Sequence, residues 1–219
     1  MEKELGQNSP EIAKYFDVLL QPEDEMLRSI RVKSIESGLP DIQVARYDAR
    51  HLEVIVRSMK INNAVEIGTL AGYSGVTILR GLLSPKKLYT FEFSAKHAEV
   101  AKECFEFAGY KKEEVKMFVG PALENLDKIV ADGPFDLVFI DADKINYVNY
   151  FKWAKKNLKV GGSVLADNTF AWGNIAKDTD DKTVQALQAY NKFVASDPDF
   201  RTTIIPTSEG LTFSVKVSN

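Results

Sequence analysis

From residue 62 onward, short apolar runs alternate with amphipathic segments, and this alternation limits the folds that the chain can adopt. Five runs have the length and composition of buried strands: "NAVEIG", "KLYTFEF", "EVKMFVG", "FDLVFIDA" and "GGSVLAD". The segments between them, such as "AKHAEVAKECFEFAG" and "NYVNYFKWAKKNLK", have the apolar spacing of helices. Repeated strand and helix units predict an α/β fold, with a parallel sheet covered by helices on both faces.

The C-terminal segment breaks this alternation. After a helix in "TVQALQAYNKFVASD", two further strands, "FRTTIIP" and "GLTFSVKV", are joined by the short link "TSE". A short link between two strands is typical of an antiparallel hairpin. We therefore expect one antiparallel strand near the edge of an otherwise parallel sheet.

The first 60 residues indicate three helices. Ser9 and Pro10 are typical of an N-cap followed by the first helical position, ahead of "EIAKYFDVLL". The other two helices are predicted in "PEDEMLRSIRVKSIESG" and "RYDARHLEVIVRSMK". Because no linker-like segment interrupts the 219 residues, we expect one domain, with a helical N-terminal extension over residues 1–60 and an α/β core over 61–219.

Composition excludes several classes of partner. The formal net charge of −3 argues against nucleic acid, whose binding proteins gather Lys and Arg on a basic face. No stretch approaches the roughly 20 apolar residues that span a bilayer, and "MEKELGQNSPEI" lacks the apolar run of a signal peptide. The single cysteine, Cys104, cannot form an intramolecular disulfide. We expect a cytoplasmic protein without a membrane partner.

The segment "VEIGTLAGYSG" joins the first strand of the predicted sheet to the next helix. A dinucleotide-binding turn would have its second glycine at position 70, where this chain has Leu70, so a pyrophosphate cofactor is disfavoured. A helix that starts beside Thr69, Tyr73 and Ser74 can still bind a smaller anion, for instance a carboxylate.

Two glutamates lie close to this turn in the predicted fold. Glu92 ends the second strand, where an acid can accept hydrogen bonds from both hydroxyls of a ribose. The alternative, a surface glutamate at a strand end, is weaker beside the glycine turn. Glu66 interrupts an apolar strand, where a carboxylate needs hydrogen-bond donors or a cationic ligand. A carboxylate anchor, a ribose acceptor and an acidic pocket suit S-adenosylmethionine.

Polar side chains follow two further strands. Asp141, Asp143 and Lys144 come directly after "LVFI", and Asp167 and Asn168 end the fifth strand. Asp141 alone is well explained as the end of a strand before a capped helix. If the two strands are neighbours, however, their ends lie about 4.8 Å apart and can share one cation. Asp141, Asp167 and Asn168 would suit Mg²⁺, Mn²⁺ or Ca²⁺.

Five motifs in this order resemble the metal-dependent O-methyltransferases of the caffeoyl-CoA and catechol type: "VEIGTLAGYS", "FVGPALENL", "FIDADKINYVNYF", "ADNTFAWG" and "EGLTFSVK". The resemblance covers about residues 40–217. It implies a Rossmann-like methyltransferase fold, whose seven-stranded, mostly parallel sheet has an antiparallel last strand. It also implies a homodimer.

The resemblance assigns roles to individual residues. It implies that Glu66, Gly68, Thr69 and Ser74 contact the methionine part of the cofactor, Glu92 the ribose and Ala122 the surroundings of the adenine, while Asp143 and Val44 also face the cofactor. Around Val44 the chain departs from the family pattern on the substrate side, with Ile42 for a methionine, Ala49 for a glycine and His51 for a phenylalanine.

The predicted reaction transfers a methyl group to one hydroxyl of an ortho-dihydroxy aromatic acceptor chelated to the cation. The cation favours the deprotonated oxygen, so Asp141 would bind both cation and acceptor. The resemblance favours Lys144 as the base that removes the proton; its alternative is a structural ion pair with Asp141 or Asp143. Trp172 would wall one side of the acceptor, or it is an ordinary partly buried aromatic.

Three other functions compete with this one. The same fold could methylate a sugar or another non-catechol hydroxyl. A nucleotide-binding oxidoreductase is disfavoured by Leu70 and the terminal hairpin. A non-catalytic binding protein is disfavoured because reactive residue types fill both the cation and the lysine positions.

Overall fold

The computed structural model describes residues 10–207 and 209–219. Three helices come first: α1 (Pro10–Leu20), α2 (Glu25–Glu36) and α3 (Arg46–Met59). They match the three predicted helices, although the predicted cap Ser9 and the link residue Ser208 lie outside the described residues.

Strands and helices then alternate as predicted. The strands are β1 (Asn63–Ile67), β2 (Lys87–Glu92), β3 (Val115–Val119), β4 (Phe135–Ile140), β5 (Leu158–Ala166), β6 (Phe200–Ile205) and β7 (Leu211–Lys216). The helices are α4 (Tyr73–Gly81), α5 (Ala95–Phe107), α6 (Ala122–Asn125), α7 (Tyr147–Asn157) and α8 (Lys182–Ser196). Short 3₁₀ segments cover Leu126–Asp132, Lys144–Asn146 and Ala171–Gly173.

The seven strands form one sheet in the order β3-β2-β1-β4-β5-β7-β6. All neighbouring pairs are parallel except β5 with β7 and β6 with β7. The predicted fold class, including the antiparallel last strand, is therefore confirmed. β5 begins at Leu158, earlier than predicted, because it follows α7 without a loop and turns at Gly161, whose φ is +84°.

The strand register aligns the carboxyl ends of the central strands. Ile67 pairs with Ile140, and Ile140 pairs with Ala166. The residues that follow these three positions therefore meet at one edge of the sheet, where open α/β sheets bind their ligands.

Apolar side chains cover both faces of the sheet. Leu137 and Phe139 of β4 belong to one buried cluster, and Val138 and Ile140 belong to the other. This division follows from the two-residue period of a strand. Residues of α2, α3, α4 and α5 pack in the first cluster, and residues of α7 and α8 in the second, so the predicted covering of both faces is confirmed. In the described part of the chain, no helix is long and apolar enough to span a membrane.

Candidate active site

A cavity of about 900 Å³ lies at the carboxyl edge of the sheet. It includes most of the predicted site residues, namely Gly68, Thr69, Ser74, Glu92, Ala122, Asp141, Asp143, Lys144, Asp167, Asn168 and Trp172. Glu66 and Val44 are buried behind the wall, although Ile42 and Gln43 beside Val44 line the cavity. The sequence motifs thus converge on one place.

The glycine turn after β1 brings two strands close together. Gly68 has a φ of +100°, and a Cβ at this position would lie 1.9 Å from the carbonyl oxygen of Asp141. Only glycine fits both the backbone conformation and the contact. The turn and the end of β4 are therefore held in direct contact.

Glu92 binds the backbone of this turn. Its Oε2 accepts hydrogen bonds from the backbone N–H groups of Thr69 at 3.2 Å and Leu70 at 2.8 Å. Its Oε1 accepts one from Ser94 N–H at 2.9 Å. Glu92 thus holds the shape of the turn, and its contact with a ribose stays a prediction.

Glu66 is completely buried beneath the turn. The hydroxyls of Ser74 and Thr90 each donate a hydrogen bond of 2.6 Å to its carboxyl group. Burial raises the pKa of Glu66 to about 8, because these two hydrogen bonds only partly offset the loss of water. The donors that a glutamate in an apolar strand requires are therefore present.

Lys144 forms an ion pair with Asp141 at the end of β4. Its Nζ donates to Asp141 Oδ1 at 2.9 Å and to the hydroxyl of Tyr147 at 2.7 Å. The Tyr147 hydroxyl in turn donates to the backbone oxygen of Asp167 at 3.2 Å. Sequence reasoning missed Tyr147 because its place in an apolar helix pattern indicates only a core residue. The ion pair corresponds to the structural alternative for Lys144, and the base role stays a prediction.

Asp143 is held by two side chains on the wall of the cavity. Its carboxylate accepts hydrogen bonds from the hydroxyl of Tyr150 and the amide of Asn146, both at 2.5 Å. Burial and this carboxylate raise the pKa of Tyr150, so its hydroxyl keeps the proton that it donates. Asp143 is consequently fixed in orientation.

Asp167 is buried at 1% exposure, and its Oδ1 has no hydrogen-bond partner among the described residues. Burial raises its pKa well above the usual range, and the charges of Asp141 and Asp48 add to this effect. The neighbouring Asn168 has a φ of +59° and donates its side-chain N–H to Glu209. Its amide oxygen is therefore left free to accept or to coordinate.

Within residues 10–207 and 209–219, no group of three or more His, Cys, Asp or Glu side chains is placed to hold a metal. The predicted set of Asp141, Asp167 and Asn168 contains only two carboxylates, so it depends on the amide oxygen as its third ligand. Asp48 and Glu209 lie beside this set, and sequence reasoning singled out neither residue, although it placed their segments near the site. Asp48 has the pattern of an ordinary acid in the first turn of a helix, and Glu209 lies in a hairpin link.

Trp172 lies in the loop after β5, is 55% exposed and lines the cavity. Ala171 and Trp172 have φ values of +48° and +53°, which are unfavourable for residues with a side chain. Such strained backbone persists where the surrounding structure requires it, often beside a ligand site. Trp172 is thus placed where an acceptor could reach it, and its contact with an acceptor stays a prediction.

The strand order and the cavity beside the glycine turn are those of an α/β methyltransferase. The model of a family described as O-methyltransferase matches residues 18–217. The chain therefore belongs to this O-methyltransferase family, and the predicted class of enzyme is confirmed. The match decides against the oxidoreductase alternative.

The chain is similar over most of its length to several named O-methyltransferases. Catechol O-methyltransferase of Mycobacterium tuberculosis is 34% identical over 200 residues, which cover 91% of this chain and 90% of that protein. Caffeoyl-CoA O-methyltransferase 1 of Arabidopsis thaliana is 28% identical over 207 residues, covering 90% and 80%. The O-methyltransferase TomG of Streptomyces achromogenes, solved in complex with S-adenosylmethionine, has a TM-score of 0.86 at 31% identity, covering 95% of this chain and 96% of that one. The predicted resemblance to the catechol and caffeoyl-CoA type is confirmed.

Proposed function

We propose that this protein transfers a methyl group from S-adenosylmethionine to one hydroxyl of an ortho-dihydroxy aromatic acceptor, with a divalent cation holding the acceptor. The names of the relatives and the cofactor bound in the structural neighbour support the donor and the acceptor class. The observation that carries the proposal is the meeting of Asp141, Asp167 and Asn168 at the ends of β4 and β5.

The cofactor would lie along the turn after β1. Thr69 and Ser74 would hold its methionine part, Glu92 its ribose and Ala122 its adenine, and all four line the cavity. The residues present fit this group, because the turn offers hydroxyls and the start of α4 to a carboxylate. The sulfonium supplies the methyl group, and the protein supplies alignment of donor and acceptor.

The donor set fits a small divalent cation. Asp167 Oδ1 is buried without a partner, and the amide of Asn168 is turned by Glu209 so that its oxygen is free. Oxygen ligands of this kind are preferred by Mg²⁺, Mn²⁺ and Ca²⁺. When bound, the cation would orient the two hydroxyls of the acceptor and make them more acidic.

As the neutral amine, Lys144 would take the proton from the acceptor hydroxyl, and a divalent cation bound at Asp141 would favour that neutral form by repulsion. Asp141 and the Tyr147 hydroxyl hold its ammonium group at the cavity wall, and Trp172 would cover one face of the aromatic ring. The Tyr147 phenol keeps its own proton, because burial raises its pKa well above the usual range. Tyr147 can therefore accept from Lys144 without competing for the proton.

Substitutions separate the cation site from the base. Asp141→Ala and Asp167→Ala should abolish both turnover and its dependence on Mg²⁺. Lys144→Ala should keep cofactor binding but lose about 10² to 10⁴ in rate, with partial recovery at higher pH. The measurement is turnover of a catechol against pH and Mg²⁺. The exposed residues Asp180 and Lys156 provide the control variants Asp180→Ala and Lys156→Ala.

An acceptor panel tests the alternative chemistry. Full activity of the unmodified enzyme in EDTA would contradict the cation site, and activity restricted to sugar or mono-hydroxy acceptors would support the non-catechol alternative.

The homodimer also stays a prediction. Apolar side chains are exposed on α1, among them Tyr15, Val18 and Leu19, and a second copy of the chain would cover this surface. Light scattering measures the mass in solution.

A further inference from the structure

Asp48 is a buried carboxylate without a structural partner. It is 1% exposed in the first turn of α3, in line with the core residues Leu52 and Val56. Both of its oxygens are buried without a well-formed hydrogen bond from a described residue, and the Thr207 hydroxyl is the donor that lies near them. Buried carboxylates without partners are costly and rare, so the position of Asp48 requires a reason.

Neither helix capping nor an ion pair on α3 explains why the Asp48 carboxylate is buried. An acid at the third helical position commonly accepts a hydrogen bond from the N-cap backbone, but Asp48 makes no such contact and the N-cap, Ala45, has no capping side chain. The nearest arginines in sequence are engaged elsewhere, Arg46 with Asp17 at 3.1 Å and Arg50 with Glu53 at 3.6 Å. In the described ranges, no cation pairs with Asp48.

The neighbours of Asp48 belong to the proposed cation site. Burial raises the pKa of Asp48 to about 6, with further contributions from the negative charges of Glu209 and Asp141, while the nearby Thr207 hydroxyl opposes the shift only in part. The charge of Asp48 in turn helps to raise the pKa of Asp167. The carboxylates of Asp141, Asp167 and Glu209 line this end of the cavity, Asp48 lies behind them within reach of their charges, and Lys144 pairs with Asp141.

We propose that Asp48 is a positioning residue of the cation site, where its unpartnered carboxylate raises the affinity for a divalent cation without binding it directly. This inference rests on the proposed function. Asp48 is not placed among the direct ligands, because in the described part of the chain no group of three acidic side chains is arranged to hold a metal. Mg²⁺ and Mn²⁺ keep several waters when bound, and Asp48 would accept a hydrogen bond from such a water.

If Asp48 has this role, its replacement should raise the stability of the cation-free protein and lower the affinity for the cation. Asp48→Asn keeps the size of the side chain and removes a buried charge, so the cation-free protein should melt a few degrees higher. Affinity for the cation should fall by about 10- to 100-fold, the usual effect of losing an outer-sphere partner. A purely structural carboxylate would instead give a lower melting temperature and unchanged cation affinity.

The experiment is calorimetric titration of Mn²⁺ into the full chain near pH 7.5, with melting temperatures measured with and without Mn²⁺. Asp136→Asn is the matched control, because Asp136 is also buried but lies at the opposite edge of the sheet, where it accepts from Asn62 and Asn63 at 3.1 and 3.0 Å. This control should lower the melting temperature and leave Mn²⁺ affinity unchanged.

The outcomes separate the two proposals. If the unmodified protein binds no Mn²⁺, the cation part of the proposed function fails. If it binds Mn²⁺ and Asp48→Asn binds equally well, or if Asp48→Asn lowers the melting temperature of the cation-free protein, the role of Asp48 is overturned while the cation site stands.

Discussion

Buried carboxyl groups are the unusual residues of this protein. Glu66, Asp48 and Asp167 are each almost fully buried, and burial raises the pKa of all three. Glu66 differs from the other two because two hydroxyls donate to it. It can therefore be tested separately, through its protonation.

Glu66→Gln should remove one part of the pH dependence of stability. The pKa of Glu66 is raised from an ordinary value near 4.5 to about 8 in the folded protein. The folded state therefore holds a proton that the unfolded state releases, and stability falls as pH rises from about 4.5 to about 8. Glutamine cannot titrate, so the melting temperature of the unmodified protein should fall relative to that of the variant across this range.

The measurement is the difference in melting temperature between the two proteins at about pH 5, 6.5 and 8. Asp48 and Asp167 titrate in both proteins, so their contributions cancel in the difference. Parallel curves would mean that Glu66 is ionised throughout and that its pKa is not raised.

At the scale of elements, the turn after β1 depends on close contact between backbones. Gly68 lies against the end of β4, and Glu92 at the end of β2 accepts N–H groups from the same turn. Three strands thus fix one loop, which in the proposed function holds the cofactor. A rigid loop loses little entropy when it binds a ligand.

Gly68→Ala should both destabilise the protein and weaken binding of S-adenosylhomocysteine. A Cβ 1.9 Å from the Asp141 carbonyl oxygen forces the turn or β4 to move. Gly109→Ala is the matched control, because Gly109 has a similar φ of +84° with nothing within 4 Å of its added Cβ. The control should cost about 1 kcal/mol through its backbone alone.

Urea unfolding and calorimetric titration of S-adenosylhomocysteine measure these effects. Gly109→Ala should bind the ligand normally, whereas Gly68→Ala should lose more stability and most of the affinity. Equal losses in the two variants would show that the contact with Asp141 is unimportant.

At the scale of the whole molecule, the cavity is strongly acidic. Six carboxylates line it, those of Asp41, Glu92, Asp141, Asp143, Asp167 and Glu209. Lys144 is the lysine among the lining residues, and no arginine of the described part of the chain is among them. One divalent cation and one sulfonium would leave the site negative, which opposes the entry of anionic acceptors.

A small uncharged catechol should therefore be methylated with a higher kcat/KM than caffeoyl-CoA, whose phosphates are repelled. Both acceptors carry the same pair of adjacent hydroxyls, so the comparison isolates charge and size. Added salt should narrow the difference, because it screens repulsion. A higher kcat/KM for caffeoyl-CoA at low salt would contradict this reading of the cavity.

The sequence predicted the parts of the site that follow directly from strands. Asp141 and Asp167 could be placed together because each comes at the end of an apolar strand and neighbouring strands share an edge. The position of Asp48 and Glu209 beside the cation set could not be predicted, because α3 and the β6–β7 link reach the cavity through long-range packing. The contact of Glu92 with the turn was also missed, since side-chain bonds to backbone leave no periodic pattern.

The position of β7 between β5 and β6 has a consequence for synthesis of the protein. β7 supplies the partner for the outer side of β5 and comes last along the chain. Until residues 211–216 have left the ribosome, β5 has an unpaired edge next to its apolar residues Val164 and Leu165. Unpaired strand edges are where growing chains aggregate. A chain that stalls before residue 209 would thus expose the unpaired edge of β5 and also lack Glu209, which orients Asn168.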